Sequence, residues 1–191
     1  MPTPARTSLD EIIAAAWTIL EMDGIEALTM QRVAGAVGVR PPSLYKRVQS
    51  RGDLVRLLIE DVYRRLAAAI DGAAGSGDPR RDLAAVARAF RAFAHAHPRA
   101  YDLVFGPIRE GWRPDLATLA PANSAVLSIA ASLAGADHAL EGARMIVAWA
   151  HGFVSMELAG AFRLGGDVDE AFTFGIERLA VALAEPAPRR G

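Results

Sequence analysis

Residues 24–58 read GIEALTMQRVAGAVGVRPPSLYKRVQSRGDLVRLL, and from Ala27 to Arg51 this stretch holds Arg32, Arg40, Lys46, Arg47 and Arg51 without a single acid. Two short helices are predicted inside it. Thr29 is the cap of the first, which runs to about Ala36, because a hydroxyl just outside a helix accepts an otherwise unpaired N–H of the first turn. Gly38 breaks that helix, since glycine enters a left-handed turn at no steric cost. Arg40-Pro41-Pro42-Ser43 opens the second, through about Arg47; proline is tolerated in a first turn whose N–H groups lack helical partners. Val33, Val37, Val39, Leu44 and Val48 are expected to face inward and hold the two helices together.

Outward from this pair the pattern stays helical. Ser8-Leu9-Asp10-Glu11 has the form of a capping box, with apolar residues at Leu9, Ile12, Ile13, Ala16, Ile19 and Leu20 predicting a helix to about Asp23. Ser50-Arg51-Gly52-Asp53 caps a long helix striped by Leu54, Leu57, Leu58, Val62 and Leu66 and reaching about Asp71. Residues 72–77 read as a loop. Further helices are predicted from Asp78 to His97, from Ala100 to Phe105, from about Asp115 to Leu133 with Pro121 as a kink or restart, from Asp137 to Phe162, and from Asp167 onward. Residues 106–114 read as an exposed connection and residues 186–191 as a frayed tail. No segment alternates as a strand does. The fold class is therefore all-α: a three-helix helix-turn-helix domain over residues 1–50, then a helical bundle over 51–191 with 51–71 as its connecting helix, about nine helices in all.

The 191-residue composition, 52% apolar and 23% charged, excludes general disorder. A formal net charge of −1 excludes a polybasic coat but leaves room for one positive face. Cysteine is absent, which removes disulfides, thiolate metal sites and cysteine nucleophiles. Pro2-Thr3-Pro4 leads into an acidic amphipathic segment and not an apolar leader, and no run of apolar residues is long enough to span a bilayer. The expected setting is the cytoplasm, with no membrane partner.

A basic, acid-free pair of short helices fits a DNA duplex. A recognition helix enters a major groove about 12 Å wide with small or polar residues leading and basic or hydroxyl groups meeting the phosphates beside it. Arg40, Pro41, Pro42, Ser43, Tyr45, Lys46 and Arg47 supply that mixture. Charge alone is equally compatible with a solvated helical hairpin.

The stretch from Leu9 to Leu66, and residues 24–58 above all, strongly resembles the DNA-binding region of the TetR family of regulators. The resemblance implies a phosphate contact for Thr29 and Tyr45, a base-reaching position for Gln31, a helix-packing role for Ala34 and a turn role for Gly38. It implies groove positions for Arg40, Pro41, Pro42 and Ser43, and a phosphate grip for Arg51. Lys46, Arg47 and Val48 depart from the family's common aromatic, histidine and phenylalanine, which alters the half-site read and not the fold. The two prolines cannot donate hydrogen bonds, although their rings can meet thymine methyls, so Arg40, Gln31 and Lys46 are expected to make most polar base contacts.

One such helix reads few base pairs, so a homodimer on a palindromic or near-palindromic operator is expected, with half-sites about 34 Å or a multiple apart. By the same resemblance the last two helices form the dimer surface through Met145, Trp149, Gly152 and Met156 and through Phe172, Ile176, Leu179 and Leu183. The bundle is expected to enclose a small-molecule effector site. Its candidate lining is Phe90, Phe93, His97, Tyr101, Phe105, Trp112, Met145, Trp149 and Phe153: large apolar groups with a few hydrogen-bonding tips, suited to an apolar or aromatic effector and not to a polyanion. Trp149-Ala150-His151-Gly152-Phe153, with Glu157 and Phe162, is similar to a Trp, His-Gly segment of one C-terminal class of the family. His95 with His97, and His151 with Glu157, have no helical ligand spacing, so neither metal nor cofactor is expected.

The function implied is a ligand-responsive transcriptional regulator. Repression is the family's commoner outcome, with an activator or an adaptor that has lost DNA binding as alternatives. No phosphate loop, nucleophile elbow or paired-carboxylate motif points to an enzyme.

Overall fold

The computed structural model describes residues 7–107, 110–114 and 116–185, with Glu110 and residues 116–122 described by backbone alone. Among the described residues there are nine α-helices and no strand. They are α1 (Leu9–Asp23), α2 (Met30–Ala36), α3 (Pro41–Leu44), α4 (Arg51–Asp71), α5 (Pro79–Ala96), α6 (Pro98–Phe105), α7 (Leu116–Ala134), α8 (Ala139–Leu158) and α9 (Val168–Ala184). Short 3-10 turns occupy Ile25–Ala27, Glu110–Trp112 and Ala136–His138. No described helix is long and apolar enough to cross a membrane. The tail from Pro186, and the segment before Thr7, lie outside the described residues.

Local chemistry sets most of these boundaries. The Ser8 hydroxyl accepts the Glu11 N–H at 3.1 Å while the Glu11 carboxylate accepts the Ser8 N–H at 2.8 Å, a complete capping box. Asp167 accepts the N–H groups of Asp169 and Glu170 at the start of α9. Two helices end earlier than the pattern predicts. The α-helical geometry of α3 stops at Leu44, although the Val48 N–H still reaches the Leu44 carbonyl at 2.9 Å, so a turn and not a further helical run carries Tyr45, Lys46 and Arg47. α8 ends at Leu158 and not near Phe162, because Gly160 takes φ +62° and its N–H turns back to the Glu157 carbonyl. α7 is helical straight through Pro121.

The chain divides into two compact units, Met1–Arg65 with His97–Leu119, and Leu66–Ala96 with Ala120–Gly191. The first unit thus takes in α6 and most of α4 together with the N-terminal trio, a grouping wider than residues 1–50. Its core is built from Ile12, Leu20, Leu28, Val33, Leu44 and Leu58, all almost wholly buried. In the second unit α5, α8 and α9 pack on one another around Leu83, Phe90, Ile146, Val154, Phe172 and Ile176. Gly142 permits a close approach there: a β-carbon at that position would lie 3.2 Å from that of Ala130 and 3.4 Å from Leu183.

Candidate DNA-binding interface and effector region

The turn between α2 and α3 is closed by hydrogen bonds that a left-handed residue makes possible, a conformation glycine favours. Gly38 sits at φ +73°, its N–H meets the Gly35 carbonyl, and the Val39 N–H reaches back to Ala34 at 2.9 Å, closing a Schellman motif. The Thr29 hydroxyl oxygen accepts the Arg32 N–H at 3.2 Å at the start of α2, which leaves its own proton as a donor. Arg40 is the extended residue before Pro41 and accepts the Ser43 N–H at 2.9 Å. Val33, Leu44 and Val48 are fully buried beneath this turn; Val37 and Val39, expected inward as well, are only half-buried because they flank the exposed glycine.

The opposite side is solvent-facing. Gln31, Arg40, Pro42, Ser43, Lys46 and Arg47 are exposed, Pro41 is half-buried, and Tyr45 is 53% exposed. Among the described residues Arg40, Lys46 and Arg47 have no ion-pair partner, whereas Arg32 is held by Asp23 of α1. The positive charge of this stretch that faces outward without an acid is therefore that of the residues flanking α3, Arg40 before it and Lys46 and Arg47 after it.

Arg51 is placed differently from the rest. Its Nε donates to the Leu28 carbonyl and its Nη2 to the Ile25 carbonyl, both at 2.7 Å, and its guanidinium lies 5.5 Å from the Trp112 ring centre. It joins the first turn of α4 to the segment that leads into Thr29. Asp53 steadies the same turn: it accepts the Gln49 N–H at 2.9 Å and an Arg56 N–H at 2.6 Å, and the backbone bond above all, then Arg56, hold its carboxyl below the ordinary range.

Contacts that sequence reasoning missed bind α6 into this unit. The Glu21 carboxylate accepts the Ala100 N–H at 2.8 Å, the Trp17 ring meets His97 edge-on at 5.2 Å, and the Arg65 guanidinium lies 4.3 Å from the Trp17 ring centre. Tyr63 donates to the Val104 carbonyl at 3.3 Å, and burial pushes its phenol up. Trp17 is the available signal, a large aromatic one position outside the apolar stripe of α1.

The expected effector residues fall in both units. His97, Tyr101, Phe105 and Trp112 belong to the first, with the Tyr101 and Phe105 rings 4.8 Å apart. Phe90, Phe93, Met145, Trp149 and Phe153 belong to the second. There Trp149 and Phe153 lie 5.5 Å apart, and Phe172 touches both at 5.3 and 5.1 Å, forming an aromatic cluster that Phe162 extends. Phe90 and Phe93 are buried, but Met145 stands on the exposed side of α8 with Met156. Of the expected dimer stripes, Phe172, Ile176 and Leu183 are buried within their own unit, while Met145 and Met156 are exposed; Leu140, Val147 and Phe174, outside those stripes, are exposed as well.

Beside the aromatic cluster, Arg91 forks onto Glu157 at 2.8 and 2.5 Å and reaches Asp169 at 2.5 Å; His95 stands 3.0 Å from Glu157. The hydrogen bonds from Arg91, with smaller help from His95, hold the Glu157 carboxyl down at about 2. Among the described residues no cluster of three His, Cys, Asp or Glu is placed to hold a metal ion.

Comparison with known proteins agrees with this architecture. Residues 12–58 match the model of bacterial regulatory proteins of the tetR family, and residues 83–179 match a tetracyclin repressor-like C-terminal domain. A helix-turn-helix-type transcriptional regulator of Mycobacterium tuberculosis is 30% identical over 187 residues, covering 94% of this chain and 83% of its own. A helix-turn-helix-type transcriptional repressor of Streptomyces coeruleorubidus is 37% identical over 97 residues, 51% of this chain and 35% of its own. Among solved structures, a Rhodococcus protein superposes with a TM-score of 0.78 at 26% identity, covering 96% of this chain and 100% of its own. A TetR variant of Acinetobacter baumannii solved with minocycline shares the fold alone, with a TM-score of 0.67 at 21% identity over 92% of this chain and 96% of its own. With an N-terminal reading head on a buried valine and leucine seat, a C-terminal helical unit, and both halves matched by models of one family, this chain belongs to the TetR family of DNA-binding transcriptional regulators.

Proposed function

We propose that the protein is a cytoplasmic, ligand-responsive repressor that binds a palindromic or near-palindromic operator as a homodimer and is released by a small apolar or aromatic effector. The observation that carries this reading is the exposed row Arg40, Ser43, Tyr45, Lys46 and Arg47, mounted on the buried Leu44 and Val48. Unpaired cations on a rigid seat suit a polyanion whose affinity comes from counterion release. Arg40, Gln31 and Lys46 read base edges, with Pro41 and Pro42 against thymine methyls; Thr29 and Tyr45 meet phosphates. Arg51 acts first by positioning Thr29 through the carbonyls of Leu28 and Ile25.

Dimerisation is supported by the apolar side chains that α8 and α9 leave exposed, Met145, Met156 and Phe174 among them. The effector reading rests on the aromatic groups of the second unit and on the fold shared with a TetR variant that holds minocycline. Release needs an effector that prefers one arrangement of the dimer; a shift from 1:99 to 99:1 takes about 5.5 kcal/mol of differential affinity.

The test is selection of sheared genomic DNA by the purified protein at about 0.15 M salt, followed by sequencing. A twofold-symmetric motif enriched over a Tyr45→Ala control supports specific dimeric binding. Enrichment no better than that control overturns it.

A further inference from the structure

Within the first unit a cavity of about 310 Å³ opens between the end of α1 and α6, at the lower edge of the volumes small-molecule sites occupy. Leu20, Ile25, Leu103 and Trp112 are among the residues that wall it. Arg99 and Asp102, one helical turn apart on α6, stand at its rim. Arg99 has no ion-pair partner among the described residues.

These walls specify a chemistry. A flat ring fits against an indole and aliphatic side chains. A single carboxylate answers the Arg99 guanidinium, the geometry in which a charged hydrogen bond is strongest. Asp102 accepts an N–H or O–H and repels a second negative charge, so a polyanion is excluded and a plain hydrocarbon leaves both rim groups unanswered. We propose that this cavity is a second ligand site, taking a small aromatic acid that carries a hydrogen-bond donor beside its carboxylate. Only Trp112 is shared with the expected effector residues, and the bundle helices of the second unit take no part in it.

The site also touches the DNA-reading machinery. Trp112 packs beside Arg51 and lies within 3.8 Å of where a β-carbon of Gly52 would stand. Arg51 in turn holds the carbonyls of Ile25 and Leu28, and Ile25 is itself a wall of the cavity. A ligand that presses on Trp112 and Ile25 therefore acts on both ends of the Arg51 clasp.

The full-length protein labelled with 5-fluorotryptophan tests this, because its tryptophans are Trp17, Trp112 and Trp149 and a Trp112→Phe variant assigns the resonance of interest. Titration with 2-aminobenzoate up to about 10 mM should shift the Trp112 resonance saturably and leave Trp149 in place, and Arg99→Ala should weaken the binding by about tenfold or more. Benzyl alcohol, a ring without the carboxylate, should give no saturable shift. An unmoved Trp112 resonance, or a shift equal in the Arg99→Ala protein, overturns the site. Movement of Trp149 alone also overturns it while supporting an effector in the bundle. The readout needs no operator, so its failure is separate from a failure of DNA binding.

Discussion

The Nε of Arg51 donates to the main-chain carbonyl of Leu28 across a separation of 23 residues, at 2.7 Å, one residue before the cap of α2. Replacing Arg51 by alanine strands that carbonyl and removes one of the two hydrogen bonds that the Ile25 carbonyl accepts, the other coming from the Leu28 N–H. The first unit should lose about 1–3 kcal/mol, the usual cost of removing hydrogen bonds from a charged donor to part-buried acceptors. Lysine should recover only part of this, because it lacks the fork. Urea unfolding separates the clasp from a bare phosphate contact, which would lower the salt dependence of DNA binding by about one unit and leave stability unchanged.

Tyr45 is 53% exposed, so Tyr45→Ala should change stability by no more than about 0.5 kcal/mol. DNA affinity should nevertheless fall for matched and mismatched sequences alike, as expected of a phosphate contact. Binding isotherms on two unrelated duplexes check this; a loss confined to one sequence would make Tyr45 a base reader.

Glu157 titrates at about 2 in the folded chain against an ordinary 4.5, chiefly because Arg91 forks onto it. A carboxyl with a depressed folded value contributes fully above its unfolded value and loses that contribution as pH falls. The second unit should therefore weaken between about pH 4.5 and pH 2, by at most about 3 kcal/mol. Glu157→Gln should remove most of that acid limb while lowering stability near neutrality, where Arg91 is left with Asp169 alone. Unfolding midpoints across the acid range decide the matter.

Gly175 lies against the Trp149 ring so closely that a β-carbon would overlap it. Gly175→Ala should therefore destabilise by about 1–3 kcal/mol in spite of its better helix propensity. Trp149→Phe in the same chain should restore part of the loss. An additive double variant would show that the two residues are not coupled.

Much of this architecture was legible in the order of residues. Caps such as Ser8 with Glu11, and breakers such as Gly38, act within a few positions, so their outcome depends little on the rest of the fold. The exposure of Arg40, Lys46 and Arg47 was legible for a related reason: no acid lies nearby in the stretch to pair with them. What the pattern could not supply was partnership at a distance. Arg51 has the same charge as Lys46, yet only Arg51 finds carbonyls within reach, and those lie more than 20 residues earlier. Met145 and Phe172 look equally apolar on their helices, but one is 48% exposed and the other 1%. Neighbouring helices decide that, and helical periodicity is silent about which neighbours arrive.

The membership of α6 in the first unit bears on how such regulators can be recombined. A chimera that takes its DNA-reading cassette as an uninterrupted N-terminal piece would leave Trp17 without His97, Glu21 without the Ala100 N–H and Arg51 without Trp112. The transferable module is discontinuous: residues 1–65 together with 97–119. Exchange of target specificity in this chain therefore calls for transplanting the few exposed side chains around α3, or for moving both pieces at once.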